Sequence, residues 1–144
     1  MIPEEHRPFI ESHKLAIVGF ARKSGPPSLS PVYYYLDGDE IVFSTTKTRG
    51  KGMAAARQGE LTLCIVDMQP PFPYLTIFGN AHADEESAAA AMIRMAEVIT
   101  GNALPDAARP VMEQRAASEG RVAIRVTPTD FVKTNPVQTR PTSS

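Results

Sequence analysis

The fold of this chain is decided by the stretch GPPSLSPVYYYLDGDEIVFSTTKTRGKGMAAARQGELTLCIVD, which covers residues 25–67. It contains three runs rich in Val, Ile, Leu and Tyr, at residues 29–36, 40–45 and 61–67, and such runs are typical of β-strands. Asp37-Gly38 separates the first two runs and supplies the positive φ angles that a tight hairpin needs. The stretch therefore predicts strands that follow one another as antiparallel neighbours.

The flanking sequence extends this pattern in both directions. Residues 14–22 precede it and residues 74–83 and 121–126 follow it as further predicted strands. A helix capped by Asp84 and ending at Gly101, and a shorter helix at 111–118, interrupt the last two strands. We expect a mainly β (α+β) domain at residues 1–133, in which six antiparallel strands close into a split β-barrel with short flanking helices. The polar, proline-containing residues 134–144 are expected to form a flexible tail.

Composition and charge exclude several classes of protein. Fifteen Lys and Arg against sixteen Asp and Glu give a net charge of −1, whereas nucleic-acid binders usually carry a basic stripe. No apolar run approaches the ~20 residues of a membrane-spanning helix. A single cysteine precludes an internal disulfide, and the first residues lack the order of a secretion signal. We expect a cytoplasmic protein that binds neither nucleic acid nor membrane.

Residues 44–51, STTKTRGK, carry the most distinctive chemistry of the chain. Three cations and four hydroxyls follow a predicted strand directly and precede a predicted helix. A guanidinium, ammonium groups, hydroxyls and the N–H groups of a helix start together form a cradle for an anion such as phosphate. The alternative is a basic turn that is merely solvated.

The order of motifs resembles the split β-barrel superfamily that includes pyridoxamine-phosphate oxidases and reductases that depend on coenzyme F420. The resemblance spans about residues 15–83, and it rests on the order and spacing of its motifs together. These motifs are Gly25-Pro26-Pro27, Ser30-Pro31-Val32, the strand at 41–45, Arg49-Gly50-Lys51 and the strand–turn–strand at 66–81. In the oxidase branch the two cations are adjacent. The Arg-x-Lys spacing found here is more similar to the F420 branch.

The resemblance implies a cofactor site and a way of using it. Arg49 and Lys51 would grip the cofactor phosphate, with Lys47 and Thr48 nearby. The remaining implied contacts are Ser44, Thr45 and Thr46 to the ribityl chain and ring edge, Ser30, Pro31 and Val32 on the other side of the ring, and Phe72 and Tyr74 reaching the cofactor, either within one chain or across a dimer. The implied cofactor is F420, with flavin mononucleotide (FMN) as the alternative. The implied partners are a second copy of the chain, with the cofactor groove at the subunit interface, and a small-molecule substrate.

Three functions remain open at this point. They are an F420H2-dependent reductase of conjugated acceptors, an FMN-dependent oxidase or reductase, and a non-enzymatic F420- or flavin-binding protein. No catalytic side chain is assigned, because a redox cofactor carries the hydride itself. No metal site is predicted, since His6, His13 and His82 are scattered. Met92 and Met95 are interpreted as core residues first and as a substrate lining second.

Overall fold

The computed structural model describes residues 1–134, which form seven strands and four helices. The helices are α1 (Arg7–Glu11), α2 (Gly50–Gln58), α3 (Ala88–Thr100) and α4 (Ala108–Glu119). The strands are β1 (Leu15–Phe20), β2 (Ser28–Tyr33), β3 (Tyr35–Asp37), β4 (Glu40–Thr46), β5 (Glu60–Val66), β6 (Tyr74–Asp84) and β7 (Arg121–Lys133). None of these helices is long and apolar enough to cross a bilayer.

All the strands belong to one antiparallel sheet, in the order β2-β1-β5-β6-β7-β4-β3. The two edge strands, β2 and β3, are consecutive in the chain and are separated only by Tyr34. The sheet therefore curls until its edges meet through the chain itself, which hides edges that would otherwise be open to pairing. This arrangement confirms the predicted antiparallel split barrel with short flanking helices.

The predicted strand at 29–36 is in fact two strands, which is why the sheet has seven strands and not six. Tyr34 leaves the alternation of the strand. Its backbone N–H donates to the Lys14 carbonyl at 3.0 Å, and its hydroxyl donates to the Ile10 carbonyl at 2.7 Å. Tyr34 and Tyr35 are both buried whereas Tyr33 is exposed, so the two edges of the barrel are pinned together at Tyr34.

β6 and β7 form the longest pair in the sheet, and Gly79 bends it. The register shifts between Phe78 and Gly79, which leaves a bulge in β7. A Cβ at Gly79 would lie 2.6 Å from Cγ1 of Val126 and 2.8 Å from the Thr127 carbonyl oxygen. A side chain at position 79 would therefore clash with β7, and glycine permits the close backbone approach at the bulge.

Two apolar layers hold the domain together. The interior of the barrel is filled by buried Val, Ile, Leu and Phe side chains, with Phe43 and Ile124 fully enclosed. On the outer face of β4 and β7, Val42 and Ala123 pack against Met95 of α3. α4 then packs on α3 through small and Met side chains. The α3–α4 hairpin is therefore a cap on the outside of the barrel.

The start of this cap and the length of the strand after it, β7, both differ from the sequence prediction. The Asp84 carboxylate accepts hydrogen bonds from the Glu86 N–H at 3.0 Å and the Ser87 hydroxyl at 2.7 Å. These bonds form a turn, so the helix begins at Ala88 and not directly after Asp84. β7 runs on to Lys133, and Thr134 donates its N–H to the Tyr74 carbonyl at 3.1 Å. The rest of the expected tail, residues 135–144, lies outside the described residues.

Candidate functional site

A groove of about 440 Å³ lies between the barrel, the start of α2 and the α3–α4 cap. Four cations line it, namely Arg49, Lys51, Arg115 and Arg121. The apolar lining consists of Leu15, Pro31, Val32, Tyr33, Met92, Met95, Ala96, Ile99 and Met112. Ser44 completes the lining, and no Asp or Glu among the described residues contributes to it. The groove is therefore a cationic and apolar site that no carboxylate of the described residues lines.

Lys51 and Arg49 form the cationic corner of the groove. The Lys51 ammonium donates to the Ser30 hydroxyl at 3.0 Å, so α2 and β2 meet at this point. Neither cation has a carboxylate within salt-bridge distance among residues 1–134. Partial burial, and next the charge of Arg49, lower the pKa of Lys51. A bound anion would offset both effects, which is the electrostatic requirement of a phosphate site.

The backbone at the start of α2 is shaped by its glycines. Arg49 is the last extended residue before the helix. A Cβ at Gly52 would lie only 2.5 Å from the Thr46 carbonyl oxygen, so glycine alone lets the first turn of α2 approach the end of β4 this closely. The N–H groups of this turn have no partner within the helix, and they lie beside the two cations.

Ser44 and Thr45 were predicted as neighbouring cofactor contacts, but their side chains lie on opposite faces of β4. Ser44 lines the groove, and its hydroxyl is buried without a hydrogen-bond partner among the described residues. Thr45 is fully buried and shares the inward face of β4 with Phe43. The Thr45 hydroxyl has no partner among the described residues either. However, the Thr45 side chain points into the barrel, away from the groove.

The remaining residues of the basic turn lie outside the lining of the groove. Lys47 reaches the turn before α3, where its ammonium lies 2.8 Å from the Glu85 carboxylate. The hydroxyls of Thr46 and Thr48 lie 3.3 Å apart and are exposed. Of the predicted corner, the structure thus brings Arg49, Lys51 and Ser30 together.

Phe72 and Tyr74 do not line this groove within one chain. Tyr74 begins β6 and pairs with Val66 of β5. β5 in turn pairs with β1, where the register of Ile17 with Cys64 places Val66 beside Leu15, a residue of the groove. Two strand spacings, roughly 10 Å, therefore separate Tyr74 from the edge of the groove, and both Phe72 and Tyr74 are partly exposed.

Sequence reasoning named Met92 and Met95 of α3 as a substrate lining only in second place, and it missed the wall that α4 and the start of β7 contribute. Met92 and Met95 are buried in the cap and also line the groove, so they serve as core and lining at once. Met112 and Arg115 come from α4, and Arg121 is the first residue of β7. Their sequence separation from the basic turn carries no local signal. Only the pairing of β4 with β7 brings them to it.

A larger cavity of about 680 Å³ lies between α1, β3 and the end of α3. His13 lines this cavity, and it lies between Ser12 and Asp67 with the spacing of a nucleophilic triad. The His13 Nδ1 lies 3.0 Å from the Ser12 hydroxyl, and its Nε2 lies 3.3 Å from the Asp67 carboxylate. However, Nδ1 is also 2.8 Å from the Phe9 carbonyl oxygen, which can only accept a hydrogen bond. Nδ1 must therefore carry a proton, and it cannot serve as the base for Ser12.

Metal ligands do not gather anywhere in the described part of the chain. No three His, Cys, Asp or Glu side chains within residues 1–134 are close enough to hold an ion together. The chemistry of the groove therefore depends on its cations, on the hydroxyls of Ser44 and Tyr33, and on its apolar wall.

The fold and the groove place the protein among split-barrel proteins, and the sequence identifies the family. Residues 2–135 match the family described as pyridoxamine 5'-phosphate oxidase, and the chain belongs to this family. A search of curated proteins found no match to the chain.

Solved structures share the fold at low sequence identity. A conserved hypothetical protein from Mycobacterium tuberculosis is 19% identical and has a TM-score of 0.80, over 94% of this chain and 86% of that one. A protein described as an F420 reductase is 21% identical, with a TM-score of 0.70 over 91% and 98% of the two chains. A FAD-binding protein from Mesorhizobium loti is 10% identical, with a TM-score of 0.66 over 94% and 96%.

Proposed function

We propose that this protein is an F420H2-dependent reductase that transfers a hydride to an unsaturated or conjugated small molecule. One observation carries the proposal: the groove joins an apolar wall to two cations that have no carboxylate partner within residues 1–134. Such a site suits a flat ring system that bears a phosphate. Membership of the pyridoxamine 5'-phosphate oxidase family and the likeness to an F420 reductase support a cofactor of the flavin or deazaflavin kind.

The residues of the groove fit such a cofactor. Lys51 and Arg49 offer an ammonium and a forked guanidinium to a phosphate. Ser44 supplies a buried hydroxyl that has no partner within the described chain, and a hydroxyl of this kind costs free energy until a ligand satisfies it. Pro31 and Val32 provide an apolar surface on β2 for one face of a ring.

The side chains of the groove position the cofactor and shield it from water, and the cofactor supplies the redox chemistry. When bound, a reduced deazaflavin supplies the hydride for the acceptor. Lys51 and Arg49 hold the phosphate at the start of α2 and so fix how deeply the ring enters the groove. Met92, Met95 and Ile99 exclude water from the opposite wall, and the acceptor would lie in the space that remains.

We further propose that the protein is a homodimer whose cofactor groove lies at the subunit interface. The groove is open to solvent at Leu15, Tyr33 and Ile99, which are all at least 44% exposed. A second set of exposed apolar side chains continues from Leu15 across the neighbouring strands and their loop, and consists of Val66, Met68, Phe72, Tyr74 and Val132. A two-fold arrangement that sets this surface on the groove of the partner would bury both surfaces and bring Phe72 and Tyr74 to the cofactor.

Binding decides which cofactor the groove takes. The purified protein is titrated with F420 and with FMN, and the fluorescence quenching of each cofactor is followed. Selective F420 binding supports the proposal. Preference for FMN favours an FMN-dependent enzyme on the same fold, and binding of neither contradicts a flavin-type site.

Turnover separates an enzyme from a binding protein. Reduced F420 is mixed with a panel of conjugated acceptors, and its reoxidation is followed by absorbance. Arg109→Gln serves as the control variant, because Arg109 is exposed at the start of α4 and does not line the groove. Tight binding without turnover on any acceptor would assign the chain to the non-enzymatic binders.

The dimer has its own test. Sedimentation equilibrium should give twice the chain mass of 15.6 kDa. Phe72→Glu should shift the equilibrium toward monomer and weaken cofactor binding together. A monomeric wild type at micromolar concentration would contradict the proposed interface.

A further inference from the structure

Arg121 lines the groove but lies outside the basic segment 44–51 in the sequence. It is the first residue of β7 and pairs with Thr46 of β4. Its side chain lines the groove and is only 21% exposed. The sequence motif that predicts the phosphate corner does not include it, so it requires a separate explanation.

The Arg121 guanidinium is held by one edge only. Its Nε donates to the Glu119 carboxylate at 3.1 Å. Its two terminal nitrogens have no hydrogen-bond partner within residues 1–134. Because Nε is fixed, the terminal donors are held in place as a planar pair, the geometry that matches a carboxylate or phosphate.

Glu119 does not neutralise this end of the groove. The same carboxylate accepts from Nη2 of Arg115 at 3.3 Å, and Arg115 also lines the groove. One carboxylate thus serves two guanidinium groups, which leaves an excess of one positive charge. The hydrogen bond from Arg121 is the main cause of a lowered pKa of Glu119, so the carboxylate stays ionised and keeps its grip at neutral pH.

Ser44 provides a second, independent observation at the same place. Ser44 pairs with Ala123 across β4 and β7, and Thr46 pairs with Arg121. Side chains alternate along a strand, so Ser44 and Arg121 lie on the same face, as diagonal neighbours. The Ser44 hydroxyl is buried and unpartnered within the described chain. Two kinds of donor therefore face the groove beside each other without an acceptor.

We propose that Arg121 and Ser44 form a second oxyanion subsite, distinct from the Arg49–Lys51 corner, which binds the carboxylate of a flat apolar ligand. The body of the ligand lies against Met92 and Met95. The identification of this ligand as the hydride acceptor rests on the proposed function. The same donors could instead hold an acidic group of the cofactor itself, and the experiment distinguishes these two sources.

The probes are trans-cinnamate and trans-cinnamamide, which share a conjugated apolar body and differ in charge. Their affinities are measured by NMR-detected titration of the wild type and of four variants. Arg121→Gln removes the charged fork, and Arg121→Lys keeps the charge without the fork. Lys51→Gln weakens the other cationic corner. Arg109→Gln removes one positive charge from an exposed position on α4 outside the groove.

The wild type should bind cinnamate about ten-fold more tightly than the amide, as expected for a charged hydrogen bond. Lys51→Gln and Arg109→Gln should keep this preference, Arg121→Lys should keep part of it, and Arg121→Gln should lose it. The subsite is overturned if the wild type shows no preference, or if Arg121→Gln retains it in full.

Fluorescence titration of Arg121→Gln with F420 and FMN assigns the source of the oxyanion. Unchanged cofactor affinity, together with a lost preference for cinnamate, places the acceptor in the subsite. A ten-fold loss of cofactor affinity places an acidic group of the cofactor there. If the wild type binds neither cofactor, the proposed function fails, while the cinnamate comparison still decides whether the subsite exists.

Discussion

The groove and the larger cavity of this barrel differ more in charge than in shape. In the cavity of about 680 Å³ beside α1, two of the arginines have carboxylate partners: Arg7 pairs with Asp39, and Arg94 lies 3.7 Å from Glu97. In the groove of about 440 Å³, Arg49 and Lys51 have no carboxylate partner within the described residues. Both arginines of the larger cavity are therefore neutralised, whereas the smaller groove has positive charge left over for a ligand.

Under the proposed function, unneutralised charge locates the binding site better than volume does. A fully neutralised ion gains little from a further ligand, whereas a partly buried cation without a partner gains a full charge-assisted hydrogen bond. The groove and the cavity should therefore respond in opposite ways to substitution. Substitutions in the groove should change ligand affinity, and substitutions in the cavity should change stability.

The largest effect is expected from the cationic corner. Arg49→Ala and Lys51→Ala should each weaken F420 binding by about ten- to a hundred-fold, since a charged hydrogen bond contributes about 1.5–3 kcal/mol. The midpoint of thermal unfolding should hardly change, because Arg49 is exposed and Lys51 only partly buried. Fluorescence titration and thermal denaturation measure the two quantities. Affinities within two-fold of wild type in both variants would contradict the phosphate assignment.

A reciprocal effect is expected beside the larger cavity. Tyr34→Phe removes the hydroxyl that donates to the Ile10 carbonyl at 2.7 Å, at a residue only 2% exposed. The loss of this buried bond should lower the free energy of unfolding by about 1–2 kcal/mol and leave cofactor affinity unchanged. Urea denaturation provides the measurement, with Tyr33→Phe as the exposed control. If Tyr34→Phe weakened cofactor binding and left stability unchanged, the contrast between the groove and the larger cavity would be contradicted.

Two glycines of α2 give a matched pair for the shape of the groove. A Cβ at Gly52 would meet the Thr46 carbonyl oxygen at 2.5 Å, whereas a Cβ at Gly50 would meet the end of the Phe20 side chain at 2.9 Å. Backbone cannot move aside as a side chain can. Gly52→Ala should therefore cost about 1 kcal/mol or more and weaken F420 binding several-fold. Gly50→Ala should change both quantities less, and equal effects would show that the close approach at Gly52 is not needed.

The pH dependence of binding should also come from the groove. Lys51 must be protonated to hold phosphate, and burial with Arg49 nearby lowers its pKa in the free protein. F420 affinity should therefore fall on the alkaline side at a lower pH than for an ordinary lysine, and binding should be accompanied by proton uptake. The stability of the free protein should depend on pH in the opposite direction to the affinity. Because the pKa of Lys51 is lower in the folded state than in the unfolded state, the free energy of unfolding should rise with pH through this range. Titration across alkaline pH tests this, and Lys51→Arg should flatten the fall in affinity.

The smallest effect is expected at Lys47, which the sequence places in the basic turn. Its ammonium pairs with Glu85 at 2.8 Å, and both side chains are more than half exposed. An exposed pair of this kind contributes little, so Lys47→Ala should change F420 affinity by less than about three-fold. Glu85→Ala is the matched control. A loss at Lys47 as large as that at Lys51 would show that Lys47 turns toward the ligand.

The sequence predicts what is local and misses what depends on distant pairing. The strand–turn–helix around Arg49 and Lys51 is readable because strand, basic turn and helix are contiguous in the chain. The break at Tyr34 is not readable, since nothing in three consecutive tyrosines shows that the chain crosses there between the two edges of one sheet. The contribution of Arg121 is equally hidden, because it depends on the register of β4 with β7 across 75 positions of the chain, from Thr46 to Arg121.

The α3–α4 cap occupies the whole interval between two strands that pair with each other along almost their full length. Its two ends therefore lie side by side on paired strands. Related chains could exchange this segment, or engineers could redesign it, without altering the strands or the corner formed by Arg49 and Lys51. The same scaffold could thus acquire new substrate preferences through replacement of a single contiguous stretch of the gene.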